Sequence, residues 1–138
     1  MPLVRIDVAE CLQPGRPRWI ADAIHRAIVA EYGIPERDRF QVIAERKPGQ
    51  ILAGDAGLGF ERTGDVVIIQ VFTQRGRTAE AKQRLYAAIA GELAGLGIAG
   101  EDVFIGYVEN GPEDWSFGFG RAQYVTGELG VPGEAAGG

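Results

Sequence analysis

The chain has 138 residues, 46% of them apolar and 24% charged, with a formal net charge of −5. That is the balance of one soluble globular domain able to bury a core, and the negative charge argues against broad electrostatic binding to nucleic acid or anionic membranes. A single cysteine, Cys11, leaves neither a disulfide framework nor a Cys-based zinc site, and no apolar run approaches the ~20 residues of a membrane span. The start, MPLVRIDVAEC, lacks the charged-then-apolar profile of a signal peptide, so a cytoplasmic location is expected.

In chain order, Leu3 to Val8 alternate apolar and polar and predict a strand. Gln13 to Pro17 is a Pro/Gly turn. From Trp19 to Tyr32 the residues Ile20, Ala23, Ile24, Ala27, Ile28 and Tyr32 recur at helical spacing, with Gly33 as the stop. Arg39 to Glu45 predicts a second strand, ended by Lys47-Pro48-Gly49. Gln50 to Asp65 is Gly-rich and irregular, with room for a short hairpin. Asp65 to Phe72 is nearly all apolar, which suits a central strand covered on both faces. Thr78 to Leu96 predicts a helix, with Thr78 as N-cap and Gly97 as its stop. Val103 to Val108 is the last long strand. An aromatic, Gly-rich segment follows, and then a Gly/Ala tail over 130–138 that is expected to be disordered.

The order is βαβ followed by βαβ, over about 2–48 and 65–110, within one domain of residues 1–129. The halves look alike at an offset of 64 residues: Gly33-Ile34 meets Gly97-Ile98, Asp38 meets Asp102, Phe40 meets Phe104 and Glu45 meets Glu109. Two such units give an α+β fold, a four-stranded mixed sheet with both helices on one face. The other face needs a cover, and oligomerisation supplies one.

Four features carry chemistry. Removal of Met1 would leave Pro2 as a secondary amine; an α-amino group has a reference pKa of roughly 7.7–8.0, suited to proton transfer near neutrality or to attack on a carbonyl. Met-Pro is also a common start by chance. Gln74-Arg75-Gly76-Arg77-Thr78 follows the apolar strand and precedes a helix, where two guanidinium groups can clamp a carboxylate or simply face solvent. Twelve of the fourteen basic residues are Arg, so a compositional bias explains most of them. Asp38, ahead of the second strand, is placed to hold an ammonium or orient water. Its counterpart Asp102 argues equally for an ordinary turn residue. The segment Glu113 to Tyr124 reads as a loop roofing a pocket or touching a neighbouring subunit.

Together Pro2 on a first strand, the doubled βαβ and the Arg-x-Arg after the third strand resemble the tautomerase superfamily, and within it the malonate semialdehyde decarboxylase family. The resemblance runs from Pro2 to about Leu129, and the Asp114-Trp115-Ser116-Phe117-Gly118 run together with the Arg75-x-Arg77 pair is fairly specific to it. It implies Pro2, Asp38, Arg75 and Arg77 as catalytic residues, with the two arginines also binding substrate. Trp115, Phe117, Tyr124 and Leu129 would form an apolar wall, with Tyr124 where a Phe is expected. It further implies a homotrimer, no metal or organic cofactor, and a small carboxylate-bearing substrate. The expected reaction is decarboxylation of malonate semialdehyde or a similar short 3-oxo acid. Keto–enol tautomerisation, hydration and 3-haloacrylate dehalogenation would use the same residues. A non-enzymatic ferredoxin-like ligand-binding domain would need neither a free Pro2 nor the arginine pair. His25, the one histidine, falls within the first helix and reads as a helix-surface residue rather than a ligand.

Overall fold

Alternation decides the first strand. Val4, Ile6 and Val8 of β1 (Leu3–Ala9) are buried, while Leu3, Arg5, Asp7 and Ala9 point to the opposite face. The structure is a computed structural model that describes residues 2–131. The predicted tail beyond Val131 lies outside the described residues, as does Met1. No helix among the described residues is long and apolar enough to cross a membrane.

Helix α1 (Arg16–Tyr32) starts three residues earlier than the spacing predicted. Pro17 sits in its first turn, where a missing N–H costs nothing, so the Pro/Gly turn is shorter than expected. Gly33 ends the helix at φ 64°, a left-handed conformation that favours glycine, and its N–H donates to the Val29 carbonyl at 2.9 Å. Strand β2 (Phe40–Arg46) runs parallel to β1. Residues 47–66 form no hairpin; Asp55 accepts from the N–H groups of Gly57 and Gly59, and Arg62 donates to the Gly54 and Glu101 carbonyls.

Strand β3 (Val67–Gln74) lies antiparallel to β1, two residues later in the chain than predicted, so that Gln74 is its last residue. Helix α2 (Ala79–Ala94) has the expected cap, the Thr78 hydroxyl accepting from the Ala81 N–H at 3.1 Å. It stops before Gly95, and Ile98 N–H returns to the Leu93 carbonyl. Strand β4 (Val103–Asn110) pairs in parallel with β3. The sheet order is β2-β1-β3-β4, mixed as predicted.

The core is one layer between the sheet and both helices. Ile6, Ile69 and Val71 from the sheet meet Ile24 and Ile28 of α1 and Leu85, Ile89 and Leu93 of α2. Neither α1 nor α2 covers the other sheet face. Phe40, Val42, Phe104 and Val108 are all exposed there, beside Leu3, Ile68 and Phe72. Contiguous apolar surface of this kind is rare on a monomer.

Candidate active site

The topology gathers three chain segments at one end of the sheet. Leu3 opens β1 opposite Phe40, near the start of parallel β2, and opposite Phe72, near the end of antiparallel β3. Pro2, buried, therefore stands beside the turn carrying Asp38 and beside residues 73–77. Strand β4 ends alongside, and the Arg75 N–H donates to the Asn110 carbonyl at 2.8 Å. A cleft of about 430 Å³ opens here, lined by the end of α1 and its following turn (Tyr32 to Pro35), by Asp38, and by residues 73–77.

Two buried polar groups in this cleft lack partners. Asp38 is 7% exposed; its own N–H donates to Pro35, yet among the described residues its Oδ1 accepts no hydrogen bond. Burial pushes its carboxyl above the usual range, against the pull of the positive amino terminus and of His25. Gln74 is 8% exposed, and its Nε2 donates to nothing among the described residues. An unmade buried hydrogen bond costs about 1–3 kcal/mol, so this unpartnered donor and acceptor are a cost that the fold carries in the wall of the cleft.

The arginines differ. Arg75 is exposed, with its guanidinium over Gly111, where a Cβ would approach Nη1 to 2.8 Å. Gly76 between the pair has φ 132°, which favours glycine and turns the two side chains apart. Arg77 is half-buried, its guanidinium 4.0 Å from the centre of the Tyr32 ring and its Nη1 donating to the Tyr32 carbonyl at 3.5 Å. Tyr32 in turn shares a 3.1 Å hydrogen bond with Tyr107. Seven other arginines sit in ion pairs, but among the described residues Arg75 and Arg77 face no carboxylate within bridging distance. The Glu113 carboxylate lies near the Arg75 guanidinium on the far side of Gly111, so Arg75 is partly offset, and Arg77 rests on Tyr32.

The aromatic segment holds a 3-10 turn (Pro112–Asp114) and a short helix, α3 (Gln123–Thr126). Trp115 and Phe117 stack with ring centres 5.5 Å apart, and Phe117 also meets Phe40 at 5.8 Å and Tyr124 edge-on at 5.1 Å. Gln123 fixes this arrangement, accepting from the Phe117 N–H and donating to the Gly118 carbonyl. A second hollow of about 430 Å³ lies against Leu3, Phe40, Phe72, Trp115 and Phe117. Tyr124 links the rings to the cleft: burial, and then the charge of Asp38, push its phenol up to about 12. Leu129 is half-buried, its N–H bonded to the Gln123 carbonyl, and lines neither hollow.

The structure thus brings Asp38, Arg75 and Arg77 to one cleft, with Pro2 buried at the same end of the sheet, while Trp115, Phe117 and Tyr124 form a connected set of rings beside the second hollow. The sequence reading missed Thr73 and Gln74, buried polar residues at the end of an apolar strand; that placement was the available signal. It also misplaced His25. The side chain is buried, not on the helix surface, because Nε2 reaches the Glu36 carbonyl at 2.7 Å.

Comparison with known proteins gives the same fold and its family. Models of the family described as "Tautomerase enzyme" match residues 38–118 and 2–61. The probable tautomerase YrdN of Bacillus subtilis (strain 168) is 38% identical over 130 residues, covering 94% of this chain and 100% of that one. The crystal structure of the FG41 malonate semialdehyde decarboxylase inhibited by 3-bromopropiolate is 58% identical, with a TM-score of 0.91 over 94% of this chain and 99% of that one. A second malonate semialdehyde decarboxylase, solved in work on its decarboxylase and hydratase activities, is 36% identical, with a TM-score of 0.86 over 92% of this chain and 98% of that one. The chain belongs to the tautomerase family.

Proposed function

We propose that this protein decarboxylates malonate semialdehyde or a similar short 3-oxo acid, with the amine of Pro2 as the working group. The observation that carries the reading is the pair of unpartnered buried groups, Asp38 Oδ1 and Gln74 Nε2, in the wall of a cleft also lined by Arg75 and Arg77, at the end of the sheet where Pro2 begins the first strand. A module that only bound through its surface would gain nothing from leaving both open.

Malonate semialdehyde carries a carboxylate two bonds from its aldehyde carbon. Cleavage of the bond to the carboxylate releases carbon dioxide and leaves an electron pair that needs a sink. Protonated Pro2 polarises the aldehyde oxygen, or neutral Pro2 condenses with the aldehyde to an iminium and releases water. Either way the pair moves into the new carbon–carbon double bond. A proton then returns to the carbon that lost carbon dioxide; in the iminium route a water adds back to free the Pro2 amine, and in both acetaldehyde leaves. Asp38 holds the positive charge on the Pro2 nitrogen. Arg75 and Arg77 draw the carboxylate in by charge. Gln74, the buried donor, fixes one substrate oxygen, and the apolar wall keeps the carboxylate poorly solvated.

Tautomerisation, hydration and 3-haloacrylate dehalogenation draw on the same groups, so turnover of malonate semialdehyde against phenylpyruvate and a 3-haloacrylate is the direct test. Malonate semialdehyde is expected to be the best substrate. Protein retaining Met1, confirmed by mass spectrometry, is expected to be inactive; full turnover by it would end the role of Pro2.

The bare sheet face supports a homotrimer within this proposal, with Phe40, Val42, Phe104 and Val108 covered by neighbouring copies. Sedimentation equilibrium should then give about three times the 14.8 kDa subunit mass. A stable, active monomer would overturn the assembly.

A further inference from the structure

The proposed chemistry gives no task to the one histidine, which is buried beside the turn that carries Asp38. His25 sits on the same stripe of α1 as Ala21, Ile28 and Tyr32, all buried, yet an apolar residue would fit that stripe better than an imidazole. Its Nε2 lies 2.7 Å from the Glu36 carbonyl, and a carbonyl only accepts, so Nε2 carries the proton. Glu36 is in the middle of the turn that joins Gly33 to β2. Asp38 closes that turn by donating its N–H to the Pro35 carbonyl at 3.0 Å. The turn therefore has one tie to itself and two side-chain ties to the helix: Arg39 to Asp22 at its β2 end, and His25 to the Glu36 carbonyl at its centre.

We propose that His25 is a positioning residue: its hydrogen bond to the Glu36 carbonyl fixes the turn that keeps the Asp38 carboxylate buried at the cleft. The inference rests on the role given to Asp38 in the proposed reaction. The charged groups around the ring are Asp22 and Arg26 on its own helix, Glu36, Asp38 and Arg39 on the turn and the start of β2, and Glu92 on α2. Most are already occupied with one another. Arg39 bonds Asp22 at 2.6 Å, and Arg26 bonds Glu92 at 3.2 Å. The Glu36 carbonyl is thus the one contact through which the ring is seen to hold the turn.

His25→Gln and His25→Leu separate the hydrogen bond from the charge. Both remove the imidazole, but the Gln amide places a donor at about the reach of Nε2. The measurement is the carboxyl-carbon NMR titration of Asp38, assigned by its loss in Asp38→Asn, alongside kcat and KM for malonate semialdehyde. Both variants lose the His25 charge that pulls the carboxyl down, so His25→Gln should leave the Asp38 midpoint at or slightly above wild type. In His25→Leu the freed turn lets water reach the carboxylate, so the midpoint falls towards the ordinary aspartate value of about 3.9. Its kcat falls roughly 10–100-fold, the cost of a misplaced catalytic group, with a smaller change in KM. If His25→Leu fails to fold, His25→Asn, whose amide falls short of Glu36, takes its place. Identical Asp38 titrations and identical kcat values in the donor-keeping and donor-free variants would overturn the proposal. The titration needs no substrate, so it still reads the role of His25 if wild-type protein proves not to decarboxylate malonate semialdehyde.

Discussion

Asp38 and Asp102 occupy matching places in the two β-α-β units, just ahead of β2 and β4, and both are buried. Their carboxylates have opposite surroundings. Asp102 accepts from the Thr63 N–H at 2.7 Å and from the Thr63 hydroxyl at 2.5 Å, tying the irregular 47–66 segment to the start of β4. Asp38 has an oxygen with no partner among the described residues and faces a cleft. A satisfied carboxylate strengthens a fold; an open one weakens it and persists where it serves something else. The second unit has its carboxylate fastened, and the first keeps its own available.

Asp38→Asn tests this contrast most severely. The carboxyl is held above its ordinary range by burial, so the folded pKa exceeds the unfolded one. The stability linked to it is fully present below the unfolded value and is lost as pH rises through the folded value. At pH 7 the ionised side chain therefore weakens the fold, and Asn removes that burden. The variant should lose about 10²–10⁴-fold in kcat/KM, the range for a group assisting proton transfer, while its melting temperature at pH 7 stays level or rises. The stability gap should close below the unfolded value. A lower melting temperature with unchanged kinetics would make Asp38 a second Asp102.

Asp102→Asn should do the reverse. It breaks a charge-assisted pair of bonds to one threonine and should cost about 1–3 kcal/mol in denaturant unfolding. Its kcat/KM should match wild type, because Asp102 fastens the 47–66 segment and does not line the cleft. Loss of turnover without loss of stability would break the division of labour.

Local pattern carried the elements. Alternation marked β1, the Thr78 cap marked α2, and the 64-residue offset marked the doubled unit. The grouping of Pro2 with Asp38, Arg75 and Arg77 came from the resemblance to the tautomerase superfamily and not from local pattern. What separates the two aspartates was out of reach, since the partner of Asp102 lies 39 residues away in an irregular segment. Arg77 resting on Tyr32 spans 45 residues and has no local mark. His25 was more accessible than its reading allowed: Ala21, Ile28 and Tyr32 define its stripe at helical spacing. A polar residue on such a stripe asks for a partner, and a backbone carbonyl leaves no trace in a sequence.

The gentlest test compares the other matched pair, Glu45 and Glu109. Glu109 bonds Lys82 at 2.7 Å, and the same ammonium sits 4.9 Å from the centre of the Tyr107 ring, so this contact joins α2 to β4. Glu45, at the corresponding place on β2, is exposed and has no ion pair among the described residues. The Lys82–Glu109 side chains are only partly shielded, so the pair is worth about 0.2–1 kcal/mol. Glu109→Gln should lose that much in urea unfolding at low salt, whereas Glu45→Gln should lose nothing. Added salt should shrink the difference, since the attraction is screened over a Debye length of about 10 Å at 0.1 M. A cycle with Lys82→Met isolates the coupling from any effect of Gln on strand packing. Equal losses from both substitutions, or no coupling to Lys82, would mean that the asymmetry between the units is confined to their aspartates.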